Sequence, residues 1–381
     1  MTEKLYYTDS HIKTFTARVL TCEERNGAFA ATLDQTAFFP EGGGQSADTG
    51  FIGPARVLDV RERDGQIVHT LDRALPAGEE YACGLDWEQR LRRMQNHSGE
   101  HIVSGLVHRE YGFENVGFHM GEDCMTIDFS GELTWEQLLA IEKLANETVR
   151  ANVPIHAWFP DSETLKTMEY RSKLELTHDI RIVEIEGIDR CACCAPHVER
   201  TGEVGLIKVL DCMRHRGGVR VSLVCGMDAL DVMNVYQQGV TAVSGTLSAK
   251  RHEIASAVER MKSEQQRARE RGDLLGLELV KYVAAGYPGT DGNIVLFNSI
   301  LDEVSLRELV NLLMDKCRLA AVFFGEEGAY RYIIGSKKID LRANAKAINT
   351  AISGRGGGKN TMITGSCTAA RKQIESAIQN F

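Results

Sequence analysis

The chain has 381 residues, 43% of them hydrophobic and 25% charged, and a formal charge of −9. That balance belongs to a soluble globular protein and excludes a disordered chain, and at roughly 100 to 200 residues per domain the length allows two or three domains. No apolar run reaches the roughly 18 residues of a membrane span, and the start MTEKLYYTDSH lacks a signal peptide's basic and apolar regions, so the expected setting is cytoplasmic with no membrane partner.

Residues 12–90 read as short strands, TFTARVLTCEE, AFAATLD, ARVLDVRER and QIVHTLD, with Asn26-Gly27 and Asp64-Gly65 as hairpin turns. They predict a small antiparallel barrel or sandwich, taken as a barrel-like domain over residues 1–90. Within it, LDQTAFFPEGGGQSADTG carries Gly42, Gly43 and Gly44, a run that bars regular helix or strand. Such a run either lets the backbone approach a ligand closely or turns a barrel corner.

From Trp87 the spacing changes, and Leu91, Met94, Ile102 and Leu106 recur at helical intervals. His97 and His101 of NHSGEHI therefore project from one helix face, within reach of a single ion. A strand candidate, CMTIDFSG, follows, and then a helix opened by Thr134 with Gln137 completing a capping box. IRIVEIEGIDRCACCAPHV reads as a strand running into a loop, and EVGLIKVLDCM and GGVRVSLVCG as two more strands, which makes residues 91–235 a mixed α/β domain.

The CACCAPHV loop repeats the four-residue spacing with Cys193 and His197. Ten cysteines without a secretory signal are thiols kept reduced and free to hold metal. Each pair is a two-ligand clip, and Zn²⁺ takes about four nitrogen or sulfur ligands in a tetrahedron. His97, His101, Cys193 and His197 thus predict one zinc site tying a helix to a distant loop, the CxxxH spacing favouring Cys193 over Cys191 and Cys194. HSGEH also matches the inverted zinc-protease pattern H-x-x-E-H with Glu100 as general base. That pattern needs a carboxylate third ligand on a following helix, where this chain offers a cysteine and a histidine.

Residues 236–282 turn polar and helical, with Ile254, Val258, Met261, Gln265 and Ala268 alternating spacings of four and three, and read as a helical linker. Residues 283–381 alternate strand and helix as a small α/β domain. The fold class is therefore α+β multidomain: an N-terminal β-barrel, a central mixed α/β domain with the zinc site, the linker and the C-terminal domain. Charge is segregated. Residues 243–381 hold 20 Lys and Arg against 15 Asp and Glu, a balance of +5 that leaves −14 for residues 1–242, and from Arg331 onward the count is 9 against 2. Such a local basic surface attracts phosphate whatever the whole-chain charge. In SGRGGGKNTMITGSC, Gly354, Gly356, Gly357 and Gly358 flank Arg355 and Lys359 near a helix end, amides and cations that can hold phosphate. The spacing is not that of a Walker loop, so nucleotide hydrolysis is not expected.

The ordered set LDQTAFFPEGGGQSADTG, HSGEH, CACCAPHVERTGEVG and GGVRVSLVCG resembles the editing domain of alanyl-tRNA synthetase and its freestanding relatives, the AlaX proteins. Residues 331–381 resemble the DHH-associated C-terminal domain of long AlaX proteins. The resemblance implies zinc-dependent hydrolysis, in trans, of mischarged tRNA for alanine carrying serine or glycine. It implies editing without charging, since the chain starts too late in the family's order to hold an aminoacylation core. A synthetic site that rejects poorly by size needs such a second site to remove its errors.

Carried over residue by residue, the resemblance makes His97, His101, Cys193 and His197 the zinc ligands and sets Thr36 against the substrate side chain or its water. Gln45 becomes the glutamine that closes the glycine motif, and Thr36, Gln45 and Glu100 are the candidate catalytic residues. Four protein ligands nominally close a shell that a catalytic zinc keeps open. Either the metal expands to a fifth ligand and activates water, or it anchors the amino-acid end while ordered water attacks the ester. tRNA contact is expected at Lys337, Lys338, Arg342, Lys346, Arg355 and Lys359, and a homodimer contact at the helical linker or the C-terminal domain.

The sequence departs from its relatives at two places. Most carry a small or hydroxyl residue at the position of Glu100, and a glycine-threonine pair at Ala195-Pro196. Glu100 is then either a partner of a ligand histidine or a solvated helix residue, and Pro196 removes a loop N–H. His119 in GFHMGED reads as a core histidine or a pocket-facing one. Two other functions fit parts of the pattern: a non-catalytic tRNA-binding protein with a structural zinc, and a zinc peptidase using Glu100.

Overall fold

The computed structural model describes residues 2–172 and 180–381, which divide into two compact units, Met1–Gly239 and Val240–Phe381. In the first unit six strands, Thr14–Arg25, Ala28–Leu33, Gly50–Ile52, Ala55–Arg63, Gln66–Leu71 and Glu80–Leu85, pair antiparallel and close on themselves as a barrel. Asn26 and Gly27 have φ of 54° and 81°, and Asp64 and Gly65 have 51° and 73°. That left-handed pair is what a two-residue hairpin turn requires and what Asn-Gly and Asp-Gly tolerate. Val19, Leu33, Ile52, Val57, Ile67 and Leu71 are fully buried and fill the interior, so the barrel is a packed core. The sequence reading passed over the strand Gly50–Ile52, whose three residues are too few to display an alternating pattern.

The helix Trp87–Tyr111 is the centre of the rest of this unit and ends at Gly112, with φ of 70°, in the left-handed cap glycine favours. From Asn96 to Val107 every residue is buried, because elements cover it on all sides. One antiparallel sheet runs in the order Ile207–His215, Gly218–Cys225, Met125–Phe129 and Asn115–Met120; a second runs Ile155–Trp158, Ile182–Ile185 and Asp189–Ala192. The segment expected to be a strand running into a loop is therefore a hairpin, turned at Gly187 with φ of 71°, and the loop begins only at Cys193. The helix Trp135–Ala151 opens as expected: Thr134 Oγ1 accepts from Gln137 N at 3.2 Å and Gln137 Oε1 accepts from Thr134 N at 2.8 Å.

Helices Met227–Leu247 and Ile254–Ala285 cover most of the stretch 236–282 read as a linker and run beyond it at both ends. The second unit then forms a five-stranded sheet in the order Asn293–Phe297, Leu319–Phe324, Tyr330–Gly335, Met362–Cys367 and Gly354–Gly358, with helices Glu303–Leu313, Leu341–Ala351 and Arg371–Gln379. Only the first pairing is parallel. The glycine run that the sequence places near a helix end is thus an edge strand. A Cβ at Gly356 would lie 2.3 Å from Thr364 O, so the missing side chains let the strand lie close against its neighbour, and Asn349 Nδ2 donates to Gly356 O at 3.0 Å. Among the described residues no helix is long and apolar enough to cross a membrane.

Candidate metal centre

The two clips meet. The metal-binding atoms of His97, His101, Cys193 and His197 all lie within 4.8 Å of one another, and Cys193 Sγ is 3.5 Å from His97 Nε2 and 3.4 Å from His197 Nε2. Helical spacing brings His97 and His101 together, their rings 5.5 Å apart. The approach of the second clip depends on residues with little or no side chain. A Cβ at Gly105 would lie 2.4 Å from Ile188 O and 2.7 Å from Asp189 Cβ, so glycine there lets the hairpin come up to the helix. Ala195, fully buried, packs with Tyr6 and Phe39, and Arg181 Nη1 donates to Cys193 O at 3.2 Å and to Ala195 O at 2.8 Å. Pro196 breaks none of these bonds, since the amides that do bond, Cys193 N to Arg181 O at 3.0 Å and Val198 N to Ser98 Oγ at 3.3 Å, lie on either side of it.

Each imidazole has an outer partner on Nδ1, leaving Nε2 for the cluster. His97 Nδ1 lies 3.0 Å from Gln45 Oε1, His101 Nδ1 2.8 Å from Asp189 Oδ2, and His197 Nδ1 3.0 Å from Ser98 Oγ. Such partners fix ring orientation and tautomer. Asp189 is itself gripped by Arg171, whose Nε and Nη2 donate to it at 2.7 and 2.9 Å. Although burial opposes its charge, the bonds from His101 and Arg171 hold the Asp189 carboxyl down at about 2. Burial also opposes a charged Cys193, yet the surrounding imidazoles, His97 first, bring its thiol well below the ordinary value. Burial pushes His197 down to about 3, a neutral ring. Around His101 burial is outweighed by Glu100, Asp189 and Cys193, which raise its pKa well above the usual value. A partly buried thiolate with three buried, oriented imidazoles fits Zn²⁺, whose binding displaces protons from the ligands.

Changing Asp189 to Asn keeps the shape and removes the charge that His101 and Arg171 share. The expected loss is about 10-fold to 100-fold in metal affinity, measured by competition with a chromophoric chelator. Unchanged affinity would mean that this contact is only packing.

The glycine motif closes on the same centre. Gly42 N donates to Gln45 O and Gln45 N to Gly42 O, both at 3.0 Å, making a tight turn. Gly44 sits at φ of 84°, where a Cβ would lie 2.7 Å from Phe118, whose ring is 5.1 Å from that of His97. Close approach is what the glycines provide. Gln45 is fully buried, and its Nε2 has no hydrogen-bond partner. Glu100 is 2% exposed, which overturns the solvated reading: its Oε1 accepts from Ser104 Oγ at 2.7 Å and from Asn115 Nδ2, and its Oε2 lies 3.7 Å from His101 Nε2. Thr36 points its hydrogen bonding into the barrel, with its hydroxyl 2.9 Å from His69 Nε2 and accepting from Phe38 N at 3.2 Å. His119 is neither core nor pocket-facing but exposed on the edge strand Asn115–Met120.

In the second unit all six expected tRNA contacts are exposed. Arg342, Lys346 and Arg355 line one groove of 610 Å³ together with Asn349 and Gly356. Lys337 pairs with Asp315, and Lys338 lies 3.9 Å from Asp291. Lys359 sits at the hairpin turn, its N–H on Met362 O at 2.8 Å.

Sequence reasoning missed Ser98, Asp189, Arg171, Arg181 and Arg90. Arg90 is 1% exposed and joins three segments: its guanidinium donates to Asp48 at 2.9 Å through Nε, to Ser10 O at 3.1 Å and to Ala37 O at 2.5 Å. Asp48 Oδ2 also accepts from Phe39 N at 2.7 Å. An arginine in the first turn of a helix reads as a surface residue; only Asp48 inside the glycine motif hints at a buried partner.

The pattern of the threonyl and alanyl tRNA synthetase second additional domain matches residues 180–221. The chain is 32% identical over 360 residues to the alanine--tRNA ligase of Halobacterium salinarum, covering 88% of this chain and 38% of that one. It is 32% identical over 246 residues to the alanyl-tRNA editing protein AlaX-L of Pyrococcus horikoshii, covering 61% of this chain and 60% of that one. With the alanine--tRNA ligase of Pyrococcus abyssi it shares 30% over 403 residues, 99% of this chain and 43% of the ligase. The chain thus spans less than two thirds of the length of each. The C-Ala domain of Aquifex aeolicus alanyl-tRNA synthetase matches 25% of the chain at 17% identity with a TM-score of 0.21.

Proposed function

We propose that this chain, which belongs to the family of AlaX proteins and alanyl-tRNA synthetase editing domains, hydrolyses the ester of tRNA for alanine mischarged with serine or glycine. The observation that carries the reading is the cluster of His97, His101, Cys193 and His197, its three histidines buried, with Gln45 of the glycine turn hydrogen-bonded to it. Zinc bound there would polarise a carbonyl or a water. The chain's own groups do the rest. Gln45 holds His97 through Oε1 and keeps Nε2 for a substrate oxygen. Glu100 takes the proton of the attacking water, its carboxylate steadied by Ser104 and Asn115. Thr36 meets the substrate's side chain by exchanging its bond with His69. Arg342, Lys346 and Arg355 hold tRNA phosphates, with Lys337, Lys338 and Lys359 on the same unit. A homodimer contact belongs to the helices between Met227 and Ala285 or to the second unit, and the setting is the cytoplasm.

A second reading, a zinc peptidase, draws support from the burial of Glu100 beside His101. One experiment separates the two: incubate the protein with seryl-, glycyl- and alanyl-tRNA for alanine, with and without chelator, and follow free amino acid. Serine and glycine are released, alanyl-tRNA is spared, and chelation stops the release. Peptide turnover with intact seryl-tRNA would overturn the assignment.

A further inference from the structure

We propose that Asp9, His11 and Glu199 of the first unit form a second site for a divalent transition-metal ion, sharing no residue with the cluster of His97, His101, Cys193 and His197. One ligand atom of each lies within 4.8 Å of those of the other two. His11 is partly buried, while Asp9 and Glu199 are exposed, so the ion would be held at the surface and exchange directly with solvent.

The imidazole decides the chemistry. His11 Nε2 lies 2.8 Å from Glu203 Oε2, and Glu203 Oε1 accepts from Glu199 N at 3.1 Å and from Arg200 N at 3.0 Å. A carboxylate fixed by two backbone amides thus takes the Nε2 proton and orients the ring from outside, as Asp189 does for His101. Nδ1 is then the atom left to bind. The hydroxyl beside it, Ser10 Oγ at 3.2 Å, already donates its single proton to His197 O at 2.7 Å and has none for the ring. Glu199 Oε1 stands 3.9 Å from Nδ1, and Asp9 Oδ1 is held nearby by His11 N at 2.7 Å.

Charge points the same way. Asp9, Glu199 and Glu203 gather three carboxylates about one imidazole; His11 pairs with Glu199 and Glu203, and among the described residues no lysine or arginine pairs with any of the three. Like charges so placed repel, and a divalent ion at Nδ1 relieves them. One imidazole nitrogen with two carboxylates suits Zn²⁺, Mn²⁺ or Co²⁺, whereas Mg²⁺ keeps to oxygen ligands and water. A cavity of 190 Å³ with Asp9, Ser10 and Glu199 in its wall leaves room for the waters that complete the shell. The ion would tie residues 9–11 to the loop that carries His197. None of this depends on the hydrolase reading.

The test loads the metal-free full chain with Co²⁺ and follows binding by calorimetry and absorption. The first equivalent enters the site of Cys193 and produces the sulfur-to-metal charge-transfer band of a cobalt thiolate. A second, weaker equivalent binds without raising that band, because no sulfur belongs to its set. His11→Ala and Glu199→Gln each weaken the second equivalent by at least about 10-fold to 100-fold, since even the outer partner of a metal ligand is worth that much. Both variants keep the thiolate band, which shows the His197 loop intact, and added Mg²⁺ does not displace the second ion. Saturation at one Co²⁺ per chain overturns the inference and leaves His11 as an ordinary ion-pair partner of Glu203. A second equivalent that survives both substitutions, or that Mg²⁺ removes, overturns it as well.

Discussion

Cys193→Ala deprives the protein of its metal and lowers deacylation of seryl-tRNA by a factor on the order of 10³ or more, the scale of a lost Lewis acid. Its Sγ lies between His97 Nε2 and His197 Nε2 at 3.5 and 3.4 Å, and it is the one donor of the four held as an anion by its surroundings. Without it three imidazoles remain, each tied from outside to Gln45, Asp189 or Ser98 and unable to close around an ion. Metal content by mass spectrometry, deacylation and tRNA affinity are measured together on a variant whose circular dichroism is unchanged. Retained tRNA affinity with lost hydrolysis is the expected result. A variant that unfolds would make the metal structural and leave a tRNA-binding protein as the better description.

Arg90→Met destabilises the first unit by about 3 to 5 kcal/mol, because Asp48 is left as a buried charge with only Phe39 N at 2.7 Å and Arg93 Nη1 at 3.7 Å beside it. Asp48 and Arg90 are each 1% exposed. For a unit of this size the melting temperature falls by roughly 6 to 20 °C. Replacing both residues, as Arg90→Met with Asp48→Leu, restores most of the stability, since breaking a buried pair costs far more than removing it whole. Arg90 also carries Ala37 O and Ser10 O, so the single variant loosens the glycine motif against the histidine helix and slows deacylation while zinc stays bound. A single variant as stable as the parent would show that Arg93 and Phe39 N satisfy Asp48 without Arg90.

What could be read from the sequence follows from which signals are local. Asn26-Gly27, Asp64-Gly65 and the Thr134–Gln137 capping box act over a few residues, and their geometry follows from residue identity. His97 with His101, and Cys193 with His197, each announce themselves by spacing, and their residue types point to one shared ion. The outer partners carry no such signal. Asp189 reaches His101 because Gly105 lets a distant hairpin approach, and Ser98 and Glu100 matter because the helix is covered on every side, so its polar residues cannot be sorted into wet and dry faces. Gly354–Gly358 defeats propensity altogether, since a strand of glycines has no side-chain pattern and is held by its neighbour and Asn349. His119 failed for the opposite reason: a lone histidine in a strand could face either way, and Asn115–Met120 lies at the sheet edge with the histidine in solvent.

The central claim is that three imidazoles and one thiolate from two remote segments hold a single zinc ion in the site that hydrolyses the ester. X-ray absorption at the zinc edge of the purified protein tests it most directly. The account predicts three nitrogen neighbours at about 2.0 to 2.1 Å and one sulfur at about 2.3 Å. A zinc shell without sulfur would contradict it.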